Sequence, residues 1–136
     1  AEIVVVTTPQ PAAADVAVRA GTLAEQTHQK VAGVIENMSS FPCPHCGEPI
    51  DLFGIGGGSI VAQTISSVLG TDVPLLGQIP FDVALREGGD SGSPLVLSQP
   101  EAPASVALLQ IAETLGRRPR GLAGMSLGIS PTRKDA

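Results

Sequence analysis

A parallel α/β layer fold is what this chain predicts, and three observations lead there. Apolar runs of strand length alternate with segments whose apolar residues recur at helical spacing. The strand runs are apolar throughout, as in a sheet covered by helices on both faces. The chain has no Trp and no Tyr, and 43% of its residues are hydrophobic against 15% charged, so its core must be built from Val, Ile, Leu and Ala. At 136 residues it has the length of one domain, enough to bury roughly two thirds of the surface an unfolded chain exposes.

Taken in order, Ile3-Val-Val-Val-Thr-Thr8 reads as a buried strand. It opens the chain without a lead-in or an initiator methionine, which predicts a piece of a longer polypeptide. Pro9-Gln-Pro11 ends that strand, and Pro11 suits the first position of a helix. Ala13, Val16, Ala17, Ala20, Leu23 and Ala24 then recur at helical spacing to about residue 26 or 27. Asp15 is expected in the first turn of this helix, complementing its dipole. Val31 to Asn37 is a second buried strand. Residues 38 to 57 are expected to be one long functional loop. Ile60, Val61, Ile65, Val68 and Leu69 mark a second helix, stopped by Gly70. Val73 to Ile79 is a third strand, ended by Pro80. Ala84, Leu85 and Gly88 predict a short helix, and Leu95 to Leu97 a short strand. Pro103 opens a last helix carrying Val106, Leu109, Ile111, Ala112 and Leu115, with Gly116 as its stop. From Arg117 onward Arg, Gly, Ser and Pro mix without period, so residues 117–136 are predicted to be a flexible tail. Ligands of such sheets bind at the carboxyl ends of the strands, where Thr7, Thr8, Asn37 and Pro80 fall.

Composition narrows the function. The net charge is −5, and only Lys30 and Lys134 are lysines. No basic stripe lies outside the tail, so a nucleic-acid surface is not expected. No apolar run approaches the roughly 18 residues of a membrane span, and no signal-peptide pattern opens the chain. The only cysteines are Cys43 and Cys46, at C-x-x-C spacing, which fits a reducing compartment and makes the cytoplasm the expected location. Two thiols at this spacing can bite one soft metal ion or one edge of an iron–sulfur cluster, but they cannot fill four coordination positions. A symmetric partner chain is the simplest source of the other two. Gly54-Ile-Gly-Gly-Gly-Ser59 precedes a helix and could cradle a phosphate. No Lys follows any Gly, so it is not a Walker A loop, and a hinge joining the cysteine loop to its helix is the preferred reading.

In combination, Val5-Val-Thr-Thr-Pro-Gln10, Gly33-Val-Ile-Glu-Asn-Met-Ser39, Cys43-Pro-x-Cys-Gly47, Phe53-Gly-x-Gly-Gly-Gly58, Leu76-Gly-x-Ile-Pro-Phe-Asp82 and Asp90-x-Gly-x-Pro94 resemble one family. They are similar to the C-terminal half of the Mrp/ApbC-type P-loop ATPases, iron–sulfur cluster carriers related to MinD and the nitrogenase iron protein. The resemblance covers about residues 3 to 116. It implies the parallel-sheet, three-layer P-loop NTPase fold, of which residues 1–116 would be the C-terminal half. The Walker A loop would lie in a half this chain does not contain.

The resemblance also implies roles. Asn37 matches a base-recognising asparagine, Pro80 the segment whose backbone flanks adenine, and Asp82 its neighbour. Cys43 and Cys46 match cysteines that, two from each subunit, hold a [4Fe-4S] cluster across a homodimer for delivery to apo iron–sulfur proteins. ATP and Mg²⁺ would bind the full-length protein, while this polypeptide alone is expected not to hydrolyse ATP. On the residues themselves, a zinc site built from two such pairs, with His45 or His28 as substitute ligand, and a dithiol redox pair both stay open as a stand-alone module without nucleotide chemistry. Glu36, Asp90 and His45 carry no assigned role.

Overall fold

The protein is described from a computed structural model, and the description takes in residues 2–118. In chain order the elements are β1 (Glu2–Thr7), α1 (Pro11–Gln26), β2 (Lys30–Asn37), β3 (Phe41–Pro42), β4 (Pro49–Ile50), α2 (Gly57–Leu69), β5 (Leu75–Ile79), α3 (Val83–Ser91), α4 (Leu95–Ser98) and α5 (Pro103–Gly116). β1, β2 and β5 form a three-stranded sheet in that order, and both pairings are parallel. Val5 sits opposite Val34, and Val34 opposite Leu75.

Strand alternation divides the core into two clusters, one on each side of the sheet. Val34 faces one cluster with Val5, Ala17, Val61 and Ile65, contributed by β1, α1 and α2. Its neighbour Ile35 packs on the other, with Ile79, Leu95, Ala104 and Ile111 from β5, α4 and α5. Helices on both faces of a parallel sheet make three layers, as the sequence predicts. α5 approaches β5 so closely that a Cβ on Gly77 would lie 2.6 Å from Ile111.

Among the described residues β1 is an outer strand. Val6 is 58% exposed and Val16 68% exposed. Beside them an apolar groove of about 440 Å³ runs between β1 and α1, lined in part by Val4, Val6, Ala13 and Val16. No helix among the described residues is long and apolar enough to cross a membrane.

Several expectations are corrected. Leu95–Ser98 is a helical turn, not a strand, because the Leu97 and Ser98 amides bond back to the Pro94 carbonyl at 3.0 and 3.2 Å. α2 begins at Gly57, one turn before its first apolar residue. α3 runs to Ser91 because the Asp82 carboxylate caps it, Oδ1 accepting from the Ala84 amide at 2.8 Å. Asp15 lies beyond the first turn of α1, which holds no acidic residue. Of the expected tail, Arg117 caps α5 and pairs with Glu113 at 3.3 Å, while residues 119–136 lie outside the described residues.

Candidate functional site

The loop predicted after β2 carries a small antiparallel hairpin. Phe41 pairs with Ile50 and Pro42 with Pro49, so the cysteines occupy its tip. The Cys43 amide donates to the Glu48 carbonyl at 2.8 Å, and the Gly47 amide to the Cys43 carbonyl at 2.8 Å. Gly47 closes the turn at φ +75°, a conformation that glycine adopts without the clash of a Cβ. Prolines at 42, 44 and 49 stiffen the rest by fixing their own φ.

Both thiols are free, Cys43 half-buried and Cys46 exposed. The backbone N–H of Cys46, then that of His45, points at the Cys43 sulfur. With a further hydrogen bond from the Cys46 side chain they hold its thiol below the usual cysteine range, against a small opposing effect of burial. Backbone dipoles thus favour the thiolate, which is the metal-binding form. His45 is exposed at the same tip. His28 sits at the turn after α1, before β2 begins, at the sheet edge opposite the hairpin. Among the described residues no three His, Cys, Asp or Glu side chains are grouped to hold a metal ion. The donor set is therefore two thiolates, half of what a tetrahedral zinc or a four-iron cluster requires.

Asn37, Met38, Pro80, Phe81, Asp82 and Arg86 share a cavity of about 170 Å³ at the carboxyl ends of β2 and β5. The three residues singled out from the sequence as nucleotide contacts are thus brought together. Asn37 Oδ1 accepts from the Met38 amide at 2.9 Å, and Met38 is held at φ +57°, which turns the chain out of β2 towards the hairpin. Asp82 caps α3. Arg86 is exposed and engages Asp90 at 3.1 Å and Glu87 at 3.2 Å, so Asp90 pairs within α3.

Two features escaped the sequence reading. Glu36, 1% exposed, accepts from the Gly58 amide at 2.6 Å and from Gln78 Nε2 at 2.8 Å. It ties the carboxyl end of β2 to β5 and to the start of α2. A carboxylate inside an apolar strand run was the available signal. The glycine cluster is also more than a hinge. Gly57 and Gly58 are buried in the first turn of α2, where added Cβ atoms would lie 2.5 Å from the Pro9 carbonyl oxygen and 2.7 Å from Glu36 Cβ. The helix start is pressed against the ends of β1 and β2.

Comparison with known proteins bears on this arrangement. A family model described as ParA, NUBPL iron-transfer P-loop NTPase, matches residues 1–116. The iron-sulfur cluster carrier protein of Mycobacterium tuberculosis H37Rv is 57% identical over 134 residues, which are 98% of this chain and 35% of that protein. The protein of the same name from Pyrococcus horikoshii is 38% identical over 121 residues, 89% of this chain and 39% of its own length. The chain thus spans about a third of the curated relatives it matches. Among solved structures, the septum site-determining protein MinD complexed with Mg-ADP from Pyrococcus horikoshii superposes with a TM-score of 0.61 at 26% identity, covering 94% of this chain and 44% of that one. The nucleotide-binding protein in complex with ADP from Archaeoglobus fulgidus superposes with a TM-score of 0.54 at 35% identity, covering 75% and 38%.

Proposed function

The chain belongs to the NUBPL iron-transfer P-loop NTPase family, and from that premise we propose that it carries an iron–sulfur cluster on Cys43 and Cys46 for delivery to apo-proteins. One observation carries the reading: a stiff hairpin displays two free thiols at its tip, one of them held below the usual cysteine pKa by backbone N–H groups, with no third His, Cys, Asp or Glu grouped with them to hold a metal among the described residues. A half-set of ligands on a protruding turn suits a cargo that must be released. A second copy of the chain, related by a twofold axis, would complete four thiolates around a [4Fe-4S] cluster at the seam of a homodimer. Each thiolate neutralises part of the cluster's iron charge, and exposure at the seam leaves the cargo open to a recipient's cysteines.

The cavity at Asn37, Pro80 and Asp82 is the reading's second part, as the seat of an adenine base. The Asn37 amide nitrogen faces no partner among the hydrogen bonds of the described residues, and its Oδ1 has already given one lone pair to Met38. The amide is therefore oriented with donors to offer. Residues 1–116 would act as the C-terminal half of a P-loop ATPase domain, in the cytoplasm. No Gly-Lys-Ser/Thr occurs in the chain. Phosphate and Mg²⁺ binding therefore fall to the longer protein, and the 136 residues alone are expected to turn over no ATP.

Anaerobic reconstitution of the full gene product with iron and sulfide tests the cargo. The expected result is about four irons per dimer and thiolate-to-iron absorption in the visible blue, lost in both Cys43→Ala and Cys46→Ala. A protein that keeps one tight zinc per dimer and refuses iron, or cysteine variants that load normally, would overturn the reading.

A further inference from the structure

The chain's entire aromatic content is three phenylalanines, and all three meet at one point. Phe41 opens the cysteine hairpin as β3, Phe53 follows it, and Phe81 lies between Pro80 and Asp82. The Phe41 and Phe81 rings pack edge to face at 5.6 Å between centroids, and Phe53 tilts against Phe81 at 6.5 Å. The backbones are joined as well. The Ser39 amide donates to the Ile79 carbonyl at 3.0 Å, and the Phe81 amide to the Ser40 carbonyl at 2.6 Å. The parallel β2–β5 ladder therefore continues beyond its strands, up to the foot of the hairpin. Phe81 also forms part of the wall of the 170 Å³ cavity. One residue is thus both a wall of the candidate base site and the base on which the cysteine hairpin stands.

We infer that Phe81, clasped by Phe41 and Phe53, is a positioning residue that couples occupancy of the Asn37–Pro80–Asp82 cavity by an adenine nucleotide to the geometry of the Cys43–Cys46 hairpin. This inference rests on the proposed carrier function. A ligand seated in a cavity this small bears on the wall at Phe81. Edge-to-face rings transmit a displacement because they are close-packed and directional. The two-residue strands β3 and β4 have few contacts of their own to resist it. By thermodynamic reciprocity, the cluster must then alter nucleotide affinity by the same factor as the nucleotide alters cluster affinity.

The test measures ADP affinity of the full gene product with and without its reconstituted cluster, in wild type, Phe81→Leu and Phe41→Leu. Phe41 lies outside the cavity lining, so its variant removes the edge-to-face contact that joins the hairpin to Phe81 without touching the nucleotide. In wild type the two affinities should differ by about fivefold or more. In both variants the ratio should fall to within about twofold of one, and in Phe41→Leu, which leaves the cavity wall intact, iron loading and the thermal unfolding midpoint of the folded dimer should change little. A ratio of one in wild type, or a wild-type ratio preserved in Phe41→Leu and Phe81→Leu, would overturn the coupling. Failure of the carrier reading looks different: wild type would then take up no cluster or bind no ADP.

Discussion

Cys43 and Glu36 show how single side chains are tuned by backbone groups. The N–H groups of Cys46 and His45 lower the Cys43 thiol's pKa, so its thiolate persists to lower pH than that of an ordinary cysteine. Alkylation by iodoacetamide, followed by peptide mapping, should therefore give a Cys43 rate that rises with pH and levels off earlier than for cysteine in an unstructured peptide. A profile superimposable on the peptide's would remove the effect. Glu36 works by the opposite logic, as a buried acceptor for two donors. Glu36→Ala leaves the Gly58 amide and Gln78 without their partner, and should cost about 3 kcal/mol in urea unfolding. Glu36→Gln, which keeps an acceptor, should cost less than half as much. The cysteines were legible in the sequence as a candidate metal-binding pair because the C-x-x-C spacing by itself brings the two thiols together. Glu36 was visible as an oddity but not as a junction, since its partners lie 22 and 42 positions away along the chain.

At the scale of elements, the joint between the cysteine loop and α2 is an unforgiving contact. Its first turn touches the Pro9 backbone, which cannot rotate aside as a side chain would. Gly57→Ala should therefore destabilise the fold by about 1–3 kcal/mol. The exposed Gly47, with nothing within 4 Å of its added Cβ, offers a contrast: Gly47→Ala should leave the fold largely intact, at about 1–2 kcal/mol of backbone strain confined to the hairpin tip. Thermal melts should show the larger loss in Gly57→Ala, and an equal or larger loss in Gly47→Ala would contradict this ranking. The long elements β1, α1, β2, α2, β5 and α5 were readable from periodicity and from proline and glycine punctuation. The hairpin was not, because strands of two residues carry no period. Leu95 to Leu97 misled because so short an apolar run carries no period to tell a strand from a helical turn, and no neighbouring strand pairs with it. The placing of Asn37 and Pro80 at one sheet edge was foreseen from strand ends and Asp82 came only with the family resemblance, whereas the additional duty of Asp82 as a helix cap appears only once α3 has a boundary.

The molecule as a whole gathers its chemistry on one sheet edge. β2 and β5 run parallel, so their carboxyl ends, the cavity between them and the hairpin beyond them all face the same way. The sheet's flank is a separate matter. β1 pairs with β2 on one side, and its other side presents unpaired amides and carbonyls among the described residues, with Val4 and Val6 alongside. Such a strand is a template for another chain. The 136 residues held alone at high concentration should accordingly form thioflavin-positive aggregates, and Val6→Lys, which sets a charge on the exposed side, should slow their growth severalfold. Seeding unchanged by that substitution would locate the aggregating segment elsewhere. The Val-rich ribbon of β1 leaves the ribosome before β2 and β5, so during synthesis it must be kept occupied, by another strand or by a chaperone, until β2 emerges to pair with it.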